Sequence, residues 1–425
     1  MNRATRAAGA AFVGTTIEWY DFYVYATAAA LLFDDLFFPN ASSPTVALMA
    51  SFATYAVGFF ARPLGGIVFG HFGDRVGRKS ALVVTLLMMG AATFVVGLLP
   101  TYDSIGALAP VLLVLLRFVQ GLAVGGEWGG AALMAVEHAP EGRKTFYGGF
   151  AQLGNPAGAL LATGAFSLMS LFGEQALQSW GWRVPFIVSA VLVLVGLFIR
   201  LRVEESPVFE RTDKTGVPIK EVFRTSWRAV LLGVGTLPVA IGGYYILTTF
   251  LLSYATGPSV GASEQLILNG LSFASFVELV ATLGIAWLGD RFGSRKVAIV
   301  FLVLTAVLAV PQFAVLGSGN AVLIFALLGL MRLVTSGTYG PMAAILAEMF
   351  PPQVRYTGIS LAYQGAGAIF GGLSPLVATA LVAAYGGAAW PAVALLVGMC
   401  VLSVICLAVA PRHRDRLPAP SVVSE

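Results

Sequence analysis

Twelve apolar stretches, most of them about 20 residues or longer, follow one another through the chain, at roughly 10–33, 48–70, 80–99, 108–136, 146–171, 183–201, 228–254, 264–288, 297–316, 320–349, 357–384 and 388–410. A helix needs about 20 apolar residues to cross a bilayer core roughly 30 Å thick. Lipid offers no partner to exposed backbone groups, so helices or closed barrels are the only structures that span. Stretches of this length and number predict an all-α membrane protein with twelve transmembrane helices. Charge supports the reading: only 11% of the residues are charged, against roughly 25% in soluble domains.

The net charge is +4. In a soluble chain a basic balance can point to nucleic acid, but here the placement of the charges points to topology. All but four of the 25 Lys and Arg residues fall in alternate connections or at the termini, and the exceptions are Arg62, Arg117, Arg183 and Arg332. The positive-inside rule then puts both termini in the cytoplasm and the chain in a cell membrane as a multi-pass protein. Arg3, Arg6 and the Ala-rich run after them resemble a signal peptide, but Glu18 and Asp21 interrupt the apolar core, so the first span is expected to be retained. Cys400 and Cys406 lie in the last span and read as packed thiols. No metal-ligand spacing, nucleophile motif or cofactor loop is present. The expectation is no enzyme, no metal and no cofactor other than a coupling proton, with the lipid bilayer as surroundings, no nucleic-acid partner and a monomeric state.

The chain repeats itself. GHFGDRVGRKS at 70–80 returns as AWLGDRFGSRK at 286–296. Asp74 recurs as Asp290, Arg117 as Arg332, Glu137 as Glu348 and Gln152 as Gln364, each about 211–216 residues on. Two parallel six-helix repeats are a transporter architecture with the site between the halves. The reading divides the chain into a six-helix bundle at 1–201, a polar linker at 202–227, a second bundle at 228–410 and a tail at 411–425.

Charges inside the spans carry the functional reading. An Arg or Asp at a helix centre costs about 2.5–3.5 kcal/mol on insertion scales, so such residues face a cavity and pair with something. Arg117 and Arg332 sit near the middle of spans 4 and 10, and Arg62 precedes Pro63 in span 2. Guanidinium forks grip carboxylates bidentately, so these three are either a site for an organic anion or structural pairs with an internal acid. The acids are Glu18, Asp21, Glu127 and Glu278. A low-dielectric site or a neighbouring acid lets a carboxylate exchange protons near neutral pH. Glu18 and Asp21, three apart on one helix face, are the first candidates for proton coupling, followed by Glu127. Tyr25 shares their face, Trp128 follows Glu127, and Tyr244 follows a Gly-Gly pair where helix 7 could break. These three aromatics, with Gln152 and Gln364, are candidate cavity-lining residues; packing roles remain the alternative for each.

GHFGDRVGRK resembles the loop 2–3 motif of the major facilitator superfamily, and RFVQGLAVGGEWGG at 117–130 resembles its helix 4 motif. IEWYDFYVY, FFARPLGGIVFGHFGDRVGRK and GLAVGGEWGGAALMAVE are similar to the metabolite:proton symporters, and RPLGGIVFGHFGDR and VGGEWGGAAL are most like shikimate carriers. The resemblance covers essentially the whole chain. It implies a gating latch formed by Gly70, Asp74, Arg75, Gly77 and Arg78, with Asp290 and Arg291 as its second-half counterpart. Ser294 stands where the first half has Arg78, so the second latch is expected to be weaker. It implies proton-coupled import of a small organic acid, shikimate-like, by alternating access. The alternatives are a zwitterion such as betaine or proline, a dicarboxylate such as 2-oxoglutarate, and drug/proton antiport.

Overall fold

The computed structural model describes residues 3–76, 78–125, 142–201, 218–351 and 355–413, and among these there is no strand. In the first half, helix 1 is Arg3–Leu31, helix 2 Pro44–Val76, helix 3 Arg78–Leu98 and helix 4 Leu108–Val124. Helix 5 is Lys144–Gln152 continued by Gly154–Ser170, and helix 6 is Arg183–Leu201. In the second half, helix 7 is Trp227–Thr256, helix 8 Glu264–Phe292 and helix 9 Ser294–Ala314. Helix 10 runs through Ala321–Tyr339 and Met342–Met349, helix 11 through Arg355–Ala366 and Leu373–Ala384, and helix 12 is Trp390–Val409. The sequence-read spans coincide with these helices to within several residues; the part of span 4 after residue 125 lies outside the described residues.

Seven described helices are long and apolar enough to cross a membrane by length and composition. Helix 1 is not among them, because Glu18, Asp21 and its Thr and Tyr residues lower its hydropathy. Its polar groups are buried against other helices instead: Asp21 is 0% exposed. Large apolar side chains such as Leu194, Val280 and Val307 point outward from helices 6, 8 and 9. On a soluble protein such a surface would be an association hazard; around this bundle it is the lipid-facing belt.

The two halves pack by the same rule. Helix 1 packs on 5, 2 on 4 and 3 on 6; six helices later, 7 packs on 11, 8 on 10 and 9 on 12. The halves meet chiefly along helices 5 and 8 and along 2 and 11. Between helices 2 and 4 the backbones touch. A Cβ on Gly125 would lie 2.6 Å from the Gly66 nitrogen, and one on Gly121 would strike the Gly58 carbonyl. Gly121 and Gly125 form a small-xxx-small face, which lets membrane helices approach closely.

Helix 7 is wound as π-helix over Val239–Gly243 and Ile246–Phe250, and helix 11 over Gly367–Gly371. Such bulges interrupt a regular ladder and recur at functional sites. The linker is not wholly irregular, since Pro218–Thr225 is helical. Arg183, the one basic residue at the end opposite the basic loops, caps helix 3. Its Nη1 donates to the carbonyls of Gly97 (3.0 Å) and Leu99 (2.6 Å), which would otherwise lack partners.

Candidate functional site

Helix 4 carries Arg117 into the bundle, where it is fully buried. Its guanidinium lies 4.2 Å from the Phe22 ring centroid, 4.3 Å from Tyr25 and 4.6 Å from Tyr55. Each such stack contributes about 0.5–2 kcal/mol. Gly58 makes room, since a Cβ there would sit 2.6 Å from Arg117 Nε. One guanidinium nitrogen donates to Gln120 Oε1 at 3.0 Å, and Gln120 in turn donates to Thr93 at 2.8 Å. Nε and Nη2 make no hydrogen bond among the described residues.

Asp21 stands beside Thr93 and within electrostatic reach of Arg117, yet neither carboxylate oxygen meets hydrogen-bond geometry with a described residue. Glu18 is buried as well but lies towards Tyr363 of helix 11. The two acids expected to act as a neighbouring pair therefore face different surroundings. One turn of helix 1 separates them, and the helices packed on each side differ.

Arg332 of helix 10 forms the second-half counterpart. Its Nη1 is 3.3 Å from Glu278 Oε2 of helix 8, and both side chains are buried. The contact is close but poorly aligned: Glu278 Oε2 and all three guanidinium nitrogens make no proper hydrogen bond among the described residues. Arg332 stacks on Tyr244 at 3.8 Å. Tyr244 faces Tyr23 of helix 1 at 5.4 Å and Tyr245 at 5.8 Å, while Tyr245 meets Tyr55 of helix 2 at 5.4 Å. Arg62 lies over Phe22 at 4.1 Å and Phe59 at 4.3 Å. An aromatic wall thus runs between the halves, with Arg62 and Arg117 on one side and Arg332 on the other.

Four phenols in this wall face one another in pairs, Tyr23 with Tyr244 and Tyr55 with Tyr245, and none meets full hydrogen-bond geometry with a described residue. Buried polar groups are normally satisfied, so a cluster of unsatisfied ones at one seam marks a place for a polar guest. Tyr25 differs, since its hydroxyl donates to Thr54 at 2.7 Å and its ring supports Arg117. Gln364 Nε2 donates across the seam to the Gly125 carbonyl at 2.9 Å. Gln152 is buried with neither amide atom paired among the described residues. Glu127 and Trp128 lie outside the described residues.

Tyr55, Gln120 and Thr93 belong to no motif read from the sequence. Two of them carry a signal in hindsight. Gln120 lies one turn from Arg117, a spacing that brings side chains together, and Tyr55 lies two turns before Arg62.

At the basic end, Asp290 reaches the other half. Its two carboxylate oxygens accept the backbone N–H groups of Thr145 (2.8 Å) and Phe146 (2.9 Å). Helix 5 begins after Arg143, which provides no side-chain cap, so its orphan donors are satisfied in trans. Ser294 adds a link of its own, its hydroxyl lying 3.0 Å from that of Thr145. Arg291 points to Trp287 and Phe292 of its own helix. Gly77 lies outside the described residues, and of Gly70, Asp74, Arg75 and Arg78 only the helical backbone is described.

At the opposite end, helices 5 and 8 are joined by neutral hydrogen bonds. Ser272 donates to Thr163 at 3.1 Å, Ser167 donates to Asn269, Gln265 donates to Ser167 at 2.9 Å, and Ser170 donates to Gln265. Residues 163, 167 and 170 face 272, 269 and 265, an antiparallel ladder at i, i+4, i+7 spacing on both helices.

A profile described as "Sugar (and other) transporter" matches residues 7–229, and one described as "Major Facilitator Superfamily" matches 258–423. The chain belongs to the major facilitator superfamily. It is 42% identical to an inner membrane metabolite transport protein of Escherichia coli K12, over 98% of this chain and 96% of that one. It is 40% identical to the shikimate transporter of the same organism, over 95% and 94%. It is 36% identical to the E. coli K12 proline/betaine transporter, over 92% and 80%. Among solved structures, a crystal structure of a D-xylose–proton symporter superposes with a TM-score of 0.74 at 19% identity, covering 96% of this chain and 98% of that one. That likeness establishes the twelve-helix major facilitator fold. The chain is a membrane transporter, not an enzyme.

Proposed function

We propose that the chain is a proton-coupled symporter that imports a small hydroxylated organic acid by alternating access. The observation that carries this reading is the state of the three buried guanidinium groups. Each is stacked on aromatic rings and carries at least one N–H donor that meets no full hydrogen-bond geometry with a described residue. An arriving carboxylate would take those donors bidentately, and the phenols of Tyr23, Tyr55, Tyr244 and Tyr245 would meet its hydroxyl groups. Gln152 and Gln364 supply further polar contacts. Similarity to the shikimate transporter makes a shikimate-like acid the first choice of substrate.

Uptake of a zwitterion such as betaine is the second reading, favoured by the proline/betaine relatives and the tyrosine wall. A quaternary ammonium needs free aromatic faces. Here faces of Tyr244, Phe22, Phe59 and Tyr55 are already covered by the protein's own guanidinium groups, which weighs against it. Dicarboxylates such as 2-oxoglutarate fit the charge but use fewer of the phenols.

The proton would be carried first by Asp21, next to Arg117, with Glu18 and Glu127 as further candidates. The basic loops would face the cytoplasm, with both termini there. Asp290 would hold that side closed, with Asp74 at the end of helix 2 as its counterpart. Counterflow in proteoliposomes with labelled shikimate, 2-oxoglutarate and betaine tests the substrate class. Exchange of a carboxylate supports the reading; exchange of betaine alone refutes it.

A further inference from the structure

We propose that Glu278 is a proton-carrying residue of the transport cycle, released from Arg332 by the carboxylate of the arriving substrate. This rests on the symport reading above and adds a second coupling site, in the other half from Asp21.

A structural salt bridge in an apolar interior survives when its geometry is good and its remaining donors and acceptors are satisfied. The Arg332–Glu278 pair is close, at 3.3 Å, but Glu278 Oε2 and the guanidinium nitrogens meet no full hydrogen-bond geometry among the described residues. It is also not remote from the seam. Arg332 lies 3.8 Å from the ring of Tyr244, and Tyr244 packs on Tyr23 of helix 1 in the opposite half. A ligand entering between the halves meets this pair through one aromatic layer. Among the described residues, the charged or titratable groups facing Glu278 are Arg332 from helix 10 and Tyr244 from helix 7, with Tyr23 of helix 1 beyond Tyr244.

A second observation lies one turn away on helix 8. Ser275 lines a mostly apolar cavity of about 20 Å³, between Ala26, Ala159, Leu252 and Leu271, into which Tyr23 and four threonines also pack. That is room for one water, with the hydroxyls of this lining as its polar contacts. The cavity sits between Glu278 and the hydrogen-bond ladder of helices 5 and 8, on the side away from the basic loops. A proton from that side reaches Glu278 by this route once the ladder opens.

The exchange conserves charge. Before substrate arrives, Arg332 and Glu278 carry one positive and one negative charge. The incoming carboxylate takes the guanidinium, and Glu278 loses its counter-charge in a dry site. One O–H bond forms on Glu278 with a proton from the outer solution, and no other covalent bond changes. Arg332 is then paired with the substrate, and Glu278 is neutral. Release on the other side runs in reverse and delivers one proton with each substrate.

The test is substrate affinity against pH for the purified wild type, Glu278→Gln, Glu278→Asp and Asp21→Asn. A proton bound with substrate makes Kd rise tenfold per pH unit above the titration range. Glu278→Gln should lower the slope of log Kd against pH by about one, and Glu278→Asp should restore it. Substrate-induced infrared difference spectra in the Asp21→Asn background supply a readout that does not need Glu278→Gln to fold. A carboxylic acid band should appear on substrate binding and shift in the added Glu278→Asp variant. A wild-type slope in Glu278→Gln, or no band moved by Glu278→Asp, overturns the proposal while leaving symport through Asp21 intact. A wild type that binds no organic acid overturns the symport reading itself.

Discussion

Removing the Asp290 carboxylate should open the basic end of the bundle. Asp290 accepts two backbone N–H groups of helix 5 from the opposite half, so it stabilises only the state in which that end is closed. A hydrogen bond to a charged acceptor contributes about 1.5–3 kcal/mol when buried. Asp290 is half-buried, and solvent reduces this to about 1 kcal/mol per bond. Asp290→Ala then costs the closed state about 2 kcal/mol, a shift of about thirtyfold in the equilibrium. Asp290→Asn keeps one acceptor oxygen and costs about 1 kcal/mol, about fivefold. Spin-label pairs on the basic ends of helices 6 and 12, read by double electron–electron resonance, report the populations directly. The long-distance population should grow in the order wild type, Asn, Ala. Equal populations in all three would refute the reasoning, because helix 5 would then be capped as well by water as by Asp290.

Three further outcomes follow from the same geometry. Ser167→Ala removes one donated and one accepted hydrogen bond of the ladder away from the basic loops; at about 0.5–1.5 kcal/mol each, it should favour opening at that end by about tenfold, read by labelling of a cysteine placed at Thr27. Gly58→Ala places a Cβ 2.6 Å from Arg117 Nε and should weaken substrate binding, whereas Gly121→Ala meets the Gly58 backbone and should lower thermal stability by about 1–3 kcal/mol, so the two variants separate in binding and melting assays. Asp34, in the short helix Phe33–Phe37 after helix 1, is pushed up to about 6 by burial and by Asp35 beside it; its ionisation therefore costs native stability as pH rises from about 4 through 6, and Asp34→Asn should melt higher than wild type at pH 7.5, with the difference vanishing towards pH 4.

The fold was legible because the sequence states it twice. Span length sets the helices, and the recurrence of Asp74 as Asp290 and Arg117 as Arg332 sets the two halves. Burial of charge was legible too, since Arg117, Arg332 and Asp21 could only face inward. Pairing was not. Glu18 and Asp21 share a helix face, but each meets whatever neighbour the bundle brings, and no local spacing reveals that Asp21 meets helices 3 and 4. Glu278 and Arg332 are 54 residues apart on helices whose contact depends on the whole half. The Ser294 link was hidden for the same reason: it depends on Thr145, in the other half. The ladder between helices 5 and 8 is built from Ser, Thr, Asn and Gln residues, and only their matched spacing across two helices reveals it.

The central claim is that substrate and proton move together, and the most direct measurement is proton uptake by de-energised proteoliposomes when an organic acid is added outside. The external medium should become more alkaline on adding the acid that counterflow identifies, and wild-type vesicles with an inward proton gradient should accumulate that acid against its own gradient. Entry of the acid with no change in external pH, and with no response to the gradient, would contradict the account.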